Sequence, residues 1–158
     1  MPPSSERQLG NDPTRAPGVP TLALVLAADW ISPSVARDRV RAWLRANQWS
    51  PAHTDDLVLA VNEAVSNSIE HGYQIGQEDP PGQQTIEVDG TISRAADGIR
   101  HVEISVRDTG SWVPPTVDGH SNRGQGIRLM RACVEHLTID GTSDGTTVVL
   151  QRSMGMPA

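Results

Sequence analysis

Glu63, Asn67 and His71 recur at every fourth position in the run LVLAVNEAVSNSIEHG, residues 57–72. At helical spacing this puts a carboxylate, an amide and an imidazole on one ledge, beside an apolar face of Leu57, Val61, Ala64, Val65 and Ser68. A ledge that borders a core holds its side chains in fixed geometry, as a carboxylate acting on a substrate proton requires. For a lone E-x-x-x-N, a solvated helix face is the ordinary reading. Its weight depends on the motifs nearer the C-terminus.

Asp108-Thr109-Gly110 sets a carboxylate beside a glycine that lets backbone approach a ligand closely. A buried acceptor there could take the exocyclic amine proton of an adenine. Arg123-Gly124-Gln125-Gly126 then leads into Ile127, Met130, Cys133, Val134 and Leu137, a helical pattern opened by a glycine pair. Bare amides at a helix start make a phosphate cradle. Finally, Gly145-Thr146 puts a hydroxyl where the last strand begins. Each piece alone has a plain alternative: D-x-G is an ordinary turn, G-x-G marks many turns, and threonine is a common strand former.

The elements that must position these residues are legible from periodicity. The run 22–28 reads as an opening strand. Ser32-Pro33 and Ser50-Pro51 both read as helix starts, and Gly72 as the stop of the second helix. Arg37, Arg41 and Arg45 line one side of the first helix, as a solvated face or, more sharply, as a docking surface for an acidic protein. Tyr73 to Gln84 reads as a loop. The segments 85–93 and 101–107 alternate as two adjacent antiparallel strands, with Asp97 and Gly98 in their turn. Residues 111–123 read as an irregular loop long enough for a lid. Strands over 137–140 and 146–150 close the chain. Residues 1–20, rich in proline and glycine, read as a disordered tail, and 153–158 as a short C-terminal one.

At 158 residues the chain fits one domain. Its formal charge of −6 argues against nucleic acid as a direct partner. All 13 cationic residues are arginine. This removes the lysine of a P-loop and the strand lysine of a eukaryotic-type protein kinase. Cys133 is the single cysteine, so neither a disulfide framework nor a cysteine zinc site is possible, and a reduced cytoplasmic home is the simplest expectation. No segment is long enough to span a membrane.

Taken together and in order, these motifs resemble the GHKL ATPase superfamily, which includes gyrase, histidine kinases and MutL. The wording EAVSNSIEHGY and RGQGIRLMRACVEHL is most similar to its small branch, the anti-sigma-factor serine kinases of the RsbW and SpoIIAB type. The likeness runs over 21–152. It implies an α+β fold, a two-layer sandwich whose mixed, mostly antiparallel sheet carries helices on one face. It also implies ATP and Mg²⁺. By that resemblance Asn67 is the magnesium ligand, and Asp108 with Gly110 reads adenine, helped by Thr146 through water. Gly124 and Gly126 wrap the phosphates, Arg123 approaches the γ-phosphate, and Glu63 orients or deprotonates the attacking hydroxyl. The implied activity is phosphorylation of a serine or threonine on an anti-anti-sigma (STAS-type) partner, with sequestration of a sigma factor and the possibility of a homodimer.

One departure is plain: many members carry a second glycine after D-x-G-x, where this chain has Trp112. That residue stiffens the first hinge of the expected lid. Two rival readings keep the nucleotide but change the outcome: a nucleotide-gated binding module without phosphate transfer, and a stand-alone ATPase.

Overall fold

A computed structural model describes residues 19–80, 82–112 and 122–155, with the backbone alone for Asn122 and Arg123. Most of the expected N-terminal tail, lid residues 113–121 and the last three residues lie outside the described residues. Five strands, β1 (Thr21–Ala27), β2 (Thr85–Arg94), β3 (Arg100–Asp108), β4 (His136–Thr142) and β5 (Gly145–Met154), form one sheet in the order β1-β2-β3-β5-β4. All four pairings are antiparallel. Among the described residues, three α-helices complete the α+β sandwich: α1 (Ser32–Ala46), α2 (Pro51–Asn67) and α3 (Asn122–Cys133).

Alternation decides which face the helices cover. In β1 every second residue, Leu22, Leu24 and Leu26, is buried, and the register carries that choice across the sheet. Leu22 stands opposite Gly90, Gly90 opposite Ile104, Ile104 opposite Leu150 and Leu150 opposite Leu137. A second row runs Leu24, Val88, Val106, Val148, Ile139. Leu44 of α1, Leu57, Val61 and Val65 of α2 and Met130 of α3 close over these rows. Burying each such leucine side chain contributes about 1.5–3 kcal/mol, so this layer is what holds the sheet and helices together.

The helix ends show where local signals held and where they did not. Ser50 caps α2, its side chain accepting from the amide of His53 at 3.4 Å. Ser32 is not the cap of α1. That place belongs to Ile31, while the Ser32 hydroxyl donates to the carbonyl of Ala27 at 2.5 Å and ties the helix back to β1. The arginine row on α1 is also partly spoken for: Arg37 bonds Asn62 Oδ1 at 2.6 Å and Arg41 pairs with Asp55 at 2.5 Å. These links join α1 to α2 across the surface, and Arg45, in the last turn of α1, is exposed.

The second helix does not run unbroken to Gly72. It ends at Asn67, and Ser68–Gly72 form a π-helical turn in which the Tyr73 amide donates to the Ser68 carbonyl at 2.8 Å. Such a turn holds one residue more than an α-turn and rotates the succeeding residues around the axis. His71 falls within this turn, and its Nε2 lies 3.8 Å from Glu70.

Candidate functional site

The apolar rows of the sheet give way at one end to a row of another kind. Asp108, the last residue of β3, stands opposite Thr146, and Thr146 stands opposite Gly141. The strand period that buries Val106 and Val148 also points Asp108 and Thr146 inward, where they are 4% and 8% exposed. A buried carboxylate needs partners. Gly110 donates its amide to Asp108 Oδ1 at 3.0 Å, and the Ser68 hydroxyl donates to Oδ2 at 2.6 Å.

Close backbone packing fixes this corner. A side chain on Gly110 would strike the carbonyl of Gly72, and one on Gly72 would meet Asp108 Oδ2 at 3.1 Å. The Ser111 amide donates to the Gly72 carbonyl at 3.0 Å. Tyr73 finishes the brace: its hydroxyl accepts from the amide of Thr109 at 2.9 Å and donates to the carbonyl of Thr85 at 2.6 Å. The π-turn thus delivers three groups to one loop, namely Ser68 Oγ, the Gly72 carbonyl and Tyr73.

Glu63 and Asn67 form the second wall, facing α3. A Cβ on Gly126 would lie 3.0 Å from Glu63 Oε2 and 3.6 Å from the oxygen and nitrogen of the Asn67 amide. Carboxylate and amide therefore meet against a bare stretch of helix. The glycine pair does not precede α3 as expected, because the helix already starts at Asn122. Gly124 lies in the first turn, whose amides have no partner inside the helix, with open space around it; Gly126 lies beyond that turn and admits Glu63. The side chain of Arg123 lies outside the described residues.

Asn67, Ser68, Asp108, Thr146, Ile127 and Met130 line one cleft between these walls, with Trp112 at its side. Trp112 donates its amide to the carbonyl of Thr142 at 2.9 Å, and its indole lies on Gly141, where any side chain would collide with it. The cleft encloses only about 20 Å³. Ligand pockets run to roughly 300–1,000 Å³, so a nucleobase enters only when this lining opens. Larger hollows lie elsewhere, one of about 660 Å³ between Trp49, Arg94, Arg100 and Met154, but it contains none of the motif residues. The small cleft is the one in which the chemistry converges.

Among the described residues, no cluster of three His, Cys, Asp or Glu could hold a metal unaided. A divalent cation beside Asn67 would have to complete its shell with ligand oxygens and water. Taken as chemistry, the arrangement offers an acceptor for an N–H donor at one end, bare amides for an anion at the other, and a carboxylate with an amide between them.

Spacing and residue type alone miss two contributors. Ser68 falls on the apolar face of the helical pattern, although a hydroxyl on such a face is itself a sign that it has a partner. Tyr73 stands at the head of a stretch that reads as loop, and nothing local marks it as a brace. Arg152 is a third, structural, case: it reaches inward to Asp56 at 2.9 Å and to the Cys133 carbonyl at 2.5 Å, closing the end of α3.

Burial raises the pKa of the Cys133 thiol, with the Asp56 and Glu63 carboxylates adding to the rise and Arg152 opposing it. The thiol is therefore protonated at neutral pH and shielded. Native protein at pH 7.5 is expected to react with iodoacetamide at least about tenfold more slowly than the same chain in denaturant. Equal rates, read by mass spectrometry, would contradict the packing of α3 on α2.

A solved structure gives a comparison in three dimensions. The crystal structure of the RsbU and RsbW domains of Rv1364c from Mycobacterium tuberculosis is similar at 28% identity and TM-score 0.61, over 88% of this chain and 34% of that one. This chain spans about a third of the length of the chain in that structure. The SiaB–SiaC complex from Pseudomonas aeruginosa aligns at 12% identity and TM-score 0.47 over 84% of this chain and 88% of that one, a likeness too distant to bear on function. The model of the histidine kinase-like ATPase domain family matches residues 26–152, and this chain belongs to that family.

Proposed function

We propose that this chain is an ATP-dependent protein-serine/threonine kinase of the anti-sigma type, acting in the cytoplasm through one nucleotide-binding unit over 21–152. It transfers the γ-phosphate of ATP to a small anti-anti-sigma partner of the STAS type and sequesters a sigma factor. The observation that carries this reading is the convergence of separately encoded motifs, Asn67 on α2, Asp108 on β3 and Thr146 on β5, in one cleft, with Glu63 and Gly126 at its α2–α3 wall. Similarity to a structure that contains an RsbW domain supports the choice of branch.

On this reading Asp108 accepts a proton from the adenine amine in a hydrogen bond, and Thr146, directly opposite, holds a water to the same ring. Asn67 offers its side-chain oxygen to Mg²⁺, which when bound neutralises charge on the phosphates. The amides of the first turn of α3, which have no partner within the helix, together with Arg123 hold the γ-phosphate oxygens. Glu63 takes the proton of the partner's hydroxyl as its oxygen bonds to phosphorus. The bond to the β–γ bridging oxygen breaks, and ADP carries that electron pair away.

Phosphorylation assays with radiolabelled ATP on STAS-domain proteins encoded by the same genome test this directly. Label on a serine or threonine of one of them is the expected result. A second reading, a nucleotide-gated binding module, has one observation on its side: Trp112, seated on Gly141, ties down the first hinge of the expected lid, on whose movement turnover depends. ATP binding without transfer to any such partner would select it.

A further inference from the structure

The cleft contains one polar side chain to which the family resemblance assigns no role. Ser68 is 5% exposed, sits at the junction of α2 and the π-turn, and directs its hydroxyl at Asp108 Oδ2 over 2.6 Å. Its own carbonyl is already occupied by the Tyr73 amide, so the backbone that carries the hydroxyl is held in place. Resting on the nucleotide-site reading above, we infer that Ser68 is a positioning residue that makes the Asp108 corner selective for ligands bearing an exocyclic amine.

A carboxylate has two oxygens and about four lone-pair directions. At Asp108 the Gly110 amide takes one direction on Oδ1, and Ser68 takes one on Oδ2. Both donors come from rigid backbone: Gly110 is packed against Gly72, and Ser68 is anchored in the π-turn. With both partners fixed, the carboxylate cannot rotate about its last torsion to suit whichever ligand arrives. What remains is an acceptor of fixed direction facing the cleft. Such an acceptor rewards an N–H placed along its open lone pair, gains nothing from a C–H, and repels a carbonyl oxygen. Alanine at position 68 would leave Oδ2 without its donor and free the carboxyl to turn. Discrimination would then fall, even where the fold is intact.

The contact comes from the particular shape of this chain. An uninterrupted α-helix would carry the residues after Ser68 along another path, and the hydroxyl, the Gly72 carbonyl and Tyr73 would not all reach the same loop. Among ligands of nearly one shape, ATP with a 6-amine and purine riboside triphosphate with hydrogen in its place differ only at the purine 6-position and are the decisive pair; inosine triphosphate, with a 6-carbonyl and a hydrogen on N1, is the third probe.

The test is titration calorimetry of the wild-type protein, Ser68→Ala and Ser68→Thr with these three nucleotides and Mg²⁺, alongside thermal melts. Wild type is expected to prefer ATP over purine riboside triphosphate by about tenfold or more, as one charge-assisted hydrogen bond allows. Ser68→Ala should lose about tenfold in ATP affinity and see that preference shrink to about threefold or less, with little change for purine riboside triphosphate. Ser68→Thr, which keeps the hydroxyl, should restore the preference. If Ser68→Ala keeps the wild-type ratio, the inference is overturned, even if the melting temperature falls, since that is what a purely structural serine would do. If wild type binds no nucleotide at all, the nucleotide-site reading fails first and takes this inference with it.

Discussion

Asp108→Asn is expected to weaken ATP binding by about a hundredfold or more while leaving the fold in place. The substitution keeps shape and volume but puts an NH₂ group where one acceptor oxygen stood. Asp108 is 4% exposed, and its oxygens already receive Gly110 and Ser68. With its nitrogen at the Oδ1 place the amide sets a donor against the Gly110 amide; with its nitrogen at the Oδ2 place it faces the Ser68 hydroxyl, which can turn to accept, but that place no longer offers an acceptor to the adenine amine. A buried donor facing a donor loses a hydrogen bond on both sides, which is why the effect exceeds that of removing Ser68 alone. Calorimetry reads the affinity, and circular dichroism checks the fold. Affinity within threefold of wild type would mean that adenine is not read at this corner.

Glu63→Ala is expected to do the opposite: to bind ATP within about threefold of wild type and to lose phosphate transfer by about 10²–10⁴-fold, the range for a general base. The carboxylate abuts Gly126 and shares that contact with the Asn67 amide, which on the proposed reading is the phosphate end of the cleft. Removing a negative charge there cannot weaken the hold on a polyanion, and Glu63→Gln should bind ATP at least as tightly as wild type. Transfer that persists within tenfold in both variants would make Glu63 a neighbour of the reaction and leave the chemistry to positioning.

The sheet is legible in the sequence because burial on one face imposes a period of two that a sequence cannot hide. Leu22, Leu24 and Leu26, then Val102, Ile104 and Val106, alternate as the register demands. The start of α2 is equally plain, since Ser50 and Pro51 supply a cap and a preset φ. The same dipeptide at Ser32-Pro33 misleads because the hydroxyl finds a longer-range acceptor, Ala27, which no local signal announces. The start of α3 is misplaced by its sequence for a related reason. Gly124 and Gly126 are poor helix formers, yet the packing of α3 on α2 overrides that preference and draws both into the helix. The motif residues themselves can be found by type and spacing. That Asp108, Thr146 and Gly141 form one row, with Trp112 seated on the last, depends on strand register, which only the folded chain defines.

Trp112 also gives the site a built-in reporter, being the one tryptophan of the four that lines the cleft. The most direct measurement of the central claim is equilibrium binding of ATP with Mg²⁺ to the full chain, monitored by calorimetry and by tryptophan fluorescence together. The account predicts saturable binding at one site per chain, a fluorescence change that tracks it, and the loss of both in Asp108→Asn. Absence of ATP binding to well-folded protein, or binding that survives Asp108→Asn undiminished, would contradict it.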